Sequence, residues 1–183
     1  MACWLLRRGT TIANPAAPSQ TSTSTRQAPD SLFPEVGSSR YNVKRYAINL
    51  TYQTSGNIKA ETTLTAQTRK PLRRFSLDLE GLTVDSVWVD GQPAEFSRGD
   101  NKLIIKSSKV LDGRFSATIK YHGKPVTHVD PDGAEEGWIP TGDGATVLSE
   151  PVGAMTWFPN NNTPRDKATF DMKITDTELP YHW

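Results

Sequence analysis

From Tyr46 onward the chain alternates apolar and polar residues with a period of two, and no stretch holds helical spacing for three turns. Tyr46, Ile48, Leu50 and Tyr52 fall on one face of an extended segment, with Asn49 and Thr51 on the other. Ser55-Gly56-Asn57 supplies turn residues, and Ile58, Ala60, Thr62, Leu64 and Ala66 then resume the alternation, so the two segments predict a hairpin. Further strands are expected over 75–79, 84–89 (closed by Asp90-Gly91), 103–105, 115–121 and 168–174. Short alternating runs punctuated by 13 glycines and 13 prolines predict an all-β fold, an antiparallel two-sheet sandwich of saddle-like form, rather than a parallel α/β sheet. In the last run Ala168, Phe170, Met172 and Ile174 are expected to face inward and Thr169, Asp171, Lys173 and Thr175 outward. Pro180 then breaks the alternation and no closing strand follows, so the sheet is expected to lack its last strands. An open edge of this kind exposes backbone donors and acceptors and favours self-association.

Residues 1–31 differ from the rest. Their small and polar side chains, as in Ser19-Gln20-Thr21-Ser22-Thr23-Ser24-Thr25, cannot offset the entropy of ordering them, so this segment is expected to be a disordered tail. Residues 32–183 are expected to form one domain, and 183 residues leave no room for a second, catalytic one. Trp4-Leu5-Leu6 is cut off by Arg7-Arg8, too short for the apolar core of a secretion signal. No run approaches the roughly 20 apolar residues of a membrane-spanning helix. With 21 basic against 20 acidic residues, the net charge of +1 supplies no field to recruit nucleic acid. A single cysteine, Cys3, forms no intrachain disulfide and leaves the compartment open.

Hydrolytic zinc needs three protein ligands and an open position, often built on His-Glu-x-x-His, where one helical turn brings two imidazoles to the same face. His122, His128 and His182 have no partner at that spacing and no glutamate after them, so neither a catalytic group nor a metal ligand is expected in this chain. His122 reads as a solvated residue at a strand end and His128 as part of a polar loop. Asp130 to Trp138 carries carboxylates and a Gly turn without the alternating ligand spacing of a calcium loop, and reads as a solvated connection. Trp157-Phe158-Pro159 reads as core packing and Asn160-Asn161-Asn162-Thr163-Pro164 as a turn-forming run. Glu150 is the functional candidate: proline after it restricts its backbone to extended conformations, and a fixed carboxylate can bind an ammonium group.

The order Glu150-Pro151, Gly153-Ala154, Trp157-Phe158-Pro159, Asn160, Pro164, then Asp166-Lys167-Ala168-Thr169 resembles the end of the N-terminal β domain of the zinc metalloaminopeptidases, the family of aminopeptidase N and leukotriene hydrolase. The resemblance covers Leu32 to Leu179. It implies that the intact enzyme removes N-terminal residues from peptides with zinc held in a separate catalytic domain, in cis or in trans. By the place of Glu150 in the motif, the resemblance implies that it is the glutamate that reaches into the cleft and holds the free α-amine of the peptide. The family often has Gln two residues earlier, where this chain has Leu148. Gly153-Ala154-Met155 shares three residues with the Gly-Ala-Met-Glu-Asn of the family's catalytic domain, but Thr156-Trp157 follows, so the substrate-clamping role does not carry over. Alone, the chain is expected to cleave nothing. The alternatives are a stand-alone binding module for protein or carbohydrate, with Trp88, Trp138 and Trp157 as stacking platforms, and an inert truncated fragment.

Overall fold

The computed structural model describes residues 33–53, 55–142 and 144–177; the tail over 1–31 and the Pro180 break lie outside the described residues, as does His182. Twelve strands follow in order: β1 (Tyr41–Tyr52), β2 (Ile58–Thr68), β3 (Leu72–Asp78), β4 (Thr83–Val89), β5 (Gln92–Pro93), β6 (Glu95–Arg98), β7 (Lys102–Leu111), β8 (Arg114–Gly123), β9 (Thr127–Val129), β10 (Glu135–Pro140), β11 (Ala145–Leu148) and β12 (Thr169–Asp176). A single 3-10 turn, Gly153–Thr156, lies between the last two. The chain is all-β, as its periodicity predicts.

The strands form a six-stranded sheet in the order β12-β1-β2-β8-β4-β5, a three-stranded sheet β3-β7-β6, and a smaller sheet β11-β10-β9. Period-two burial follows the alternation: Ile58, Ala60, Thr62, Leu64 and Ala66 of β2 and Phe115, Ala117, Ile119 and Tyr121 of β8 all point into the core. On β3 and β7, Phe75, Leu77, Leu103 and Ile105 close it from the other side. Tyr41, Phe75 and Phe115 meet edge-to-face at ring-centroid distances of 5.2 to 6.1 Å, joining the two layers. Burying each such ring stabilises the fold by about 1.5–3 kcal/mol.

The expected β1–β2 hairpin is present, with Tyr52 opposite Ile58, and its turn places Gly56 at φ 81°. A bulge between Val43 and Arg45 shifts the buried positions from Tyr41 and Val43 to Tyr46, Ile48 and Leu50. Asp90 (φ 48°) and Gly91 (φ 75°) make the two-residue turn from β4 into β5, where both central residues need positive φ.

Three expectations are corrected. The large sheet is mixed rather than wholly antiparallel, because β12 returns after a long crossover and runs parallel to β1, with Arg45 beside Thr169 and Leu50 beside Ile174. Phe170, Met172 and Ile174 do share the face of Tyr46, Ile48 and Leu50, yet they remain 48%, 51% and 64% exposed, since the described residues leave that stretch of the sheet uncovered. Asp130 to Trp138 is a solvated connection only over 131–135: it runs from the end of β9 into β10, and Asp130, Glu136 and Trp138 at its ends are buried.

Candidate functional site

Glu150 stands exposed between the end of β11 and the 3-10 turn, and its peptide bond to Pro151 is cis. The chain behind it is fixed by buried bonds. Val152 N–H donates to both carboxylate oxygens of Glu136 at 3.1 Å, and the Asn162 side-chain amide donates to Val152 O at 2.7 Å. Within the turn, Thr156 Oγ1 donates to Gly153 O at 2.9 Å and accepts from Trp138 N–H at 3.0 Å. Trp157 Nε1 reaches Ser149 Oγ at 3.4 Å, tying down the residue before Glu150.

Two glycines make this packing possible. A Cβ on Gly153 would stand 2.3 Å from Gly137 N and 2.5 Å from Leu148 O, and Gly137 itself has φ +84°, with Thr156 Oγ1 2.5 Å from where its Cβ would be. Backbone therefore meets backbone where the loop crosses β10 and β11. The Glu150 carboxylate is carried on a short exposed bend with a rigid stem.

Glu150 and Pro151 also rim a cleft of about 370 Å³, lined on its apolar side by Val36, Tyr46, Phe158 and Phe170. Tyr46 sits between Phe158 (5.6 Å, edge-to-face) and Phe170 (5.2 Å, stacked). Burial pushes the Tyr46 phenol well above its ordinary value, so it stays neutral and accepts the Asn161 N–H at 2.9 Å.

The run of asparagines does more than turn the chain. Asn160 exchanges backbone bonds with Asp78 at 2.7 and 3.1 Å; Asn161 Oδ1 accepts Ser38 N–H at 2.7 Å, and its amide donates to Asp166 at 2.5 Å. Asp166 in turn accepts Val43 N–H at 2.9 Å. Asp78 is buried, takes N–H groups from Gly37 (2.8 Å) and Asn162 (3.1 Å), and pairs with Lys102. Burial raises its pKa, and Lys102 opposes that shift. The sequence signal for this network was present only as polar residues where a loop was expected.

Trp157 and Phe158 are core, as expected, at 7% and 3% exposure. Trp138 is 8% exposed, so two of the three candidate stacking tryptophans are unavailable to a glycan, and the third, Trp88, lies under the Lys120 ammonium at 5.3 Å. His122 is a half-exposed strand-end residue, 2.8 Å from Asp85. No His-Glu-x-x-His occurs in the sequence. No helix among the described residues is long and apolar enough to cross a membrane.

The fold is shared with zinc peptidases. The M1 zinc metallopeptidase from Deinococcus radiodurans matches with a TM-score of 0.76 at 30% identity, over 80% of this chain and 35% of its own. A mutant of that enzyme bound to a Tyr-Ser-Ala substrate gives the same values. Yeast LTA4 hydrolase shares the fold at a TM-score of 0.59 and 20% identity, over 77% of this chain and 23% of its own. No family model and no curated protein matches the sequence. Over 80% of its length the chain is similar to the M1 zinc metallopeptidase of Deinococcus radiodurans, consistent with an N-terminal domain of that family. It spans 35% of the length of the Deinococcus radiodurans enzyme that it matches.

Proposed function

We propose that this domain caps the active-site cleft of a zinc aminopeptidase and that Glu150 binds the free α-amine of the peptide substrate. The observation that carries the reading is the placement of Glu150: an exposed carboxylate on a bend whose stem is fixed by Glu136, Asn162 and the Gly137–Gly153 contact. Holding the carboxylate in advance lowers the entropy lost on binding. A charge-assisted bond to an ammonium group contributes about 1.5–3 kcal/mol, enough to set the first peptide bond over the reacting centre.

The ligands seen in similar enzymes support the reading. Mutants of the Deinococcus radiodurans M1 metallopeptidase hold a Tyr-Ser-Ala substrate, and M1 two-domain structures hold L-arginine and L-tryptophan. These share a free α-amine and differ in everything the side chain offers.

The partner is a catalytic domain that supplies zinc and the base that activates water, joined in cis or met in trans. This chain contributes no step of bond cleavage; it orients the amine and narrows the cleft. The test is a chimaera in which this chain replaces the corresponding part of the Deinococcus radiodurans enzyme. We expect aminoacyl-substrate turnover from the chimaera and none from the 183-residue chain alone. A folded, zinc-loaded chimaera without activity, or turnover by the isolated chain, would contradict the assignment.

A further inference from the structure

His128 and Glu136 are direct partners across the β9–β10 ladder, and Asp130 follows His128 by two residues, on the same side of the chain. One ligand atom from each of the three lies within 4.8 Å of the other two. They are enclosed: the His128 side chain is 17% exposed, Asp130 9% and Glu136 1%. The turn between the strands is fixed by its own backbone bonds, Asp130 N–H to Ala134 O and Gly133 N–H to Asp130 O, at 2.9 and 2.8 Å.

The hydrogen-bond pattern leaves a gap of charge. His128 Nδ1 lies 2.8 Å from Glu80 Oε2, which only accepts, so Nδ1 is assigned the proton. Nε2, the other ring nitrogen, faces Asp130 Oδ1 at 3.6 Å, beyond hydrogen-bond distance. That oxygen is buried and has no hydrogen-bond partner among the described residues. Nε2 and this carboxylate oxygen thus face one another across a gap longer than a hydrogen bond, with room for a cation that both would ligate. Glu136 completes the set: both of its oxygens accept the Val152 N–H, and each keeps a free lone pair.

We propose that His128 Nε2, Asp130 and Glu136 bind one divalent first-row cation that braces the β9–β10 hairpin. An imidazole with two carboxylates is a donor set suited to zinc or manganese. Glu80 is the positioning residue, holding the ring as the outer carboxylate of a metal-bound histidine commonly does. Burial closes the site to a peptide, so the cation is structural and separate from hydrolysis. Through Glu136 and Val152 it also stiffens the stem of Glu150. The reading does not depend on what Glu150 binds.

The test is titration of the purified 183-residue chain with Zn²⁺ by calorimetry, alongside its thermal unfolding midpoint with and without the ion. One equivalent should bind and raise the midpoint. A C3S/H122Q/H182Q variant, which lacks the one thiol and the other two imidazoles, should keep the affinity within about threefold, whereas H128Q, D130N and E80Q should each lose more than about tenfold. D130N is isosteric and removes an unpartnered acceptor, so without zinc it should unfold at or above the wild-type midpoint; this separates lost binding from lost folding. Absence of stoichiometric zinc binding, or binding unchanged in both H128Q and D130N, overturns the proposal.

Discussion

Glu136 accepts the backbone N–H of Val152 through both carboxylate oxygens at 3.1 Å, fixing the chain two residues past Glu150. Glu136 is 1% exposed, so truncating it strands a buried donor. Glu136→Ala should lower stability by about 1–3 kcal/mol, read as a lower urea midpoint with unchanged slope in the presence of chelator. An unaltered midpoint would mean that water replaces the bond and that the stem of Glu150 is looser than its geometry implies.

Gly153 tests the same stem from the other side. Its missing Cβ is the space occupied by Gly137 N, 2.3 Å away, so Gly153→Ala must push backbone from backbone. A cost of about 3 kcal/mol is expected, with nearby amides of β10 and β11 exchanging faster. Gly142→Ala, whose Cβ would touch nothing within 4 Å and whose backbone, like that of Gly153, is outside the left-handed region, is the control for replacing a glycine without a clash.

Asp78 gives a pH dependence whose sign is fixed. Burial lifts its carboxyl above the ordinary 3.8 against the opposing pull of Lys102 and the Gly37 and Asn162 N–H groups. The folded state therefore binds this proton more tightly than the unfolded chain does. The contribution is full below 3.8 and is lost as pH rises through the folded value. Relative to Asp78→Asn, which does not titrate, the wild-type protein should lose stability as pH is raised across that window. Urea midpoints of the pair across the acid to neutral range check this; a wild-type midpoint that rises relative to that of Asp78→Asn as pH increases would contradict it.

The hairpin of β1 and β2 and the Asp90-Gly91 turn were legible in the sequence because local chemistry alone decides them: alternation sets the buried face, and positive φ selects the turn residues. The first half of β1 was not legible. The bulge after Val43 moves burial from odd to even positions, so a fixed period starting at Tyr46 misses Tyr41 and Val43. The β9–β11 sheet was hidden for another reason: its residues include Glu135, Glu136, Gly137 and Pro140, whose types read as loop until tertiary packing buries Glu136 beneath Val152. Glu150 was legible as an exposed carboxylate before proline, whereas the bonds that hold its stem join residues such as Val152 to Glu136 and Asn162, which no local pattern links.

Among the described residues strand β12 is an edge that pairs only with β1, and it carries exposed Phe170, Met172 and Ile174 beside an apolar groove formed with Tyr52, Trp138 and Val147. An unpaired edge with an apolar face should drive two copies of the isolated chain together. Light scattering at rising concentration should show mass above that of the monomer, and Ile174→Lys should return it towards one chain. A wild-type chain that stays monomeric at high concentration would contradict this.

The most direct measurement is the effect of Glu150→Gln on kcat/KM for an unblocked aminoacyl substrate in the active chimaera. Replacing the carboxylate keeps shape and removes the charge that holds the amine, so a fall of about 10- to 100-fold is expected, with inhibition by free L-arginine weakened in parallel. Values within twofold of the parent chimaera for both would show that Glu150 does not hold the amine.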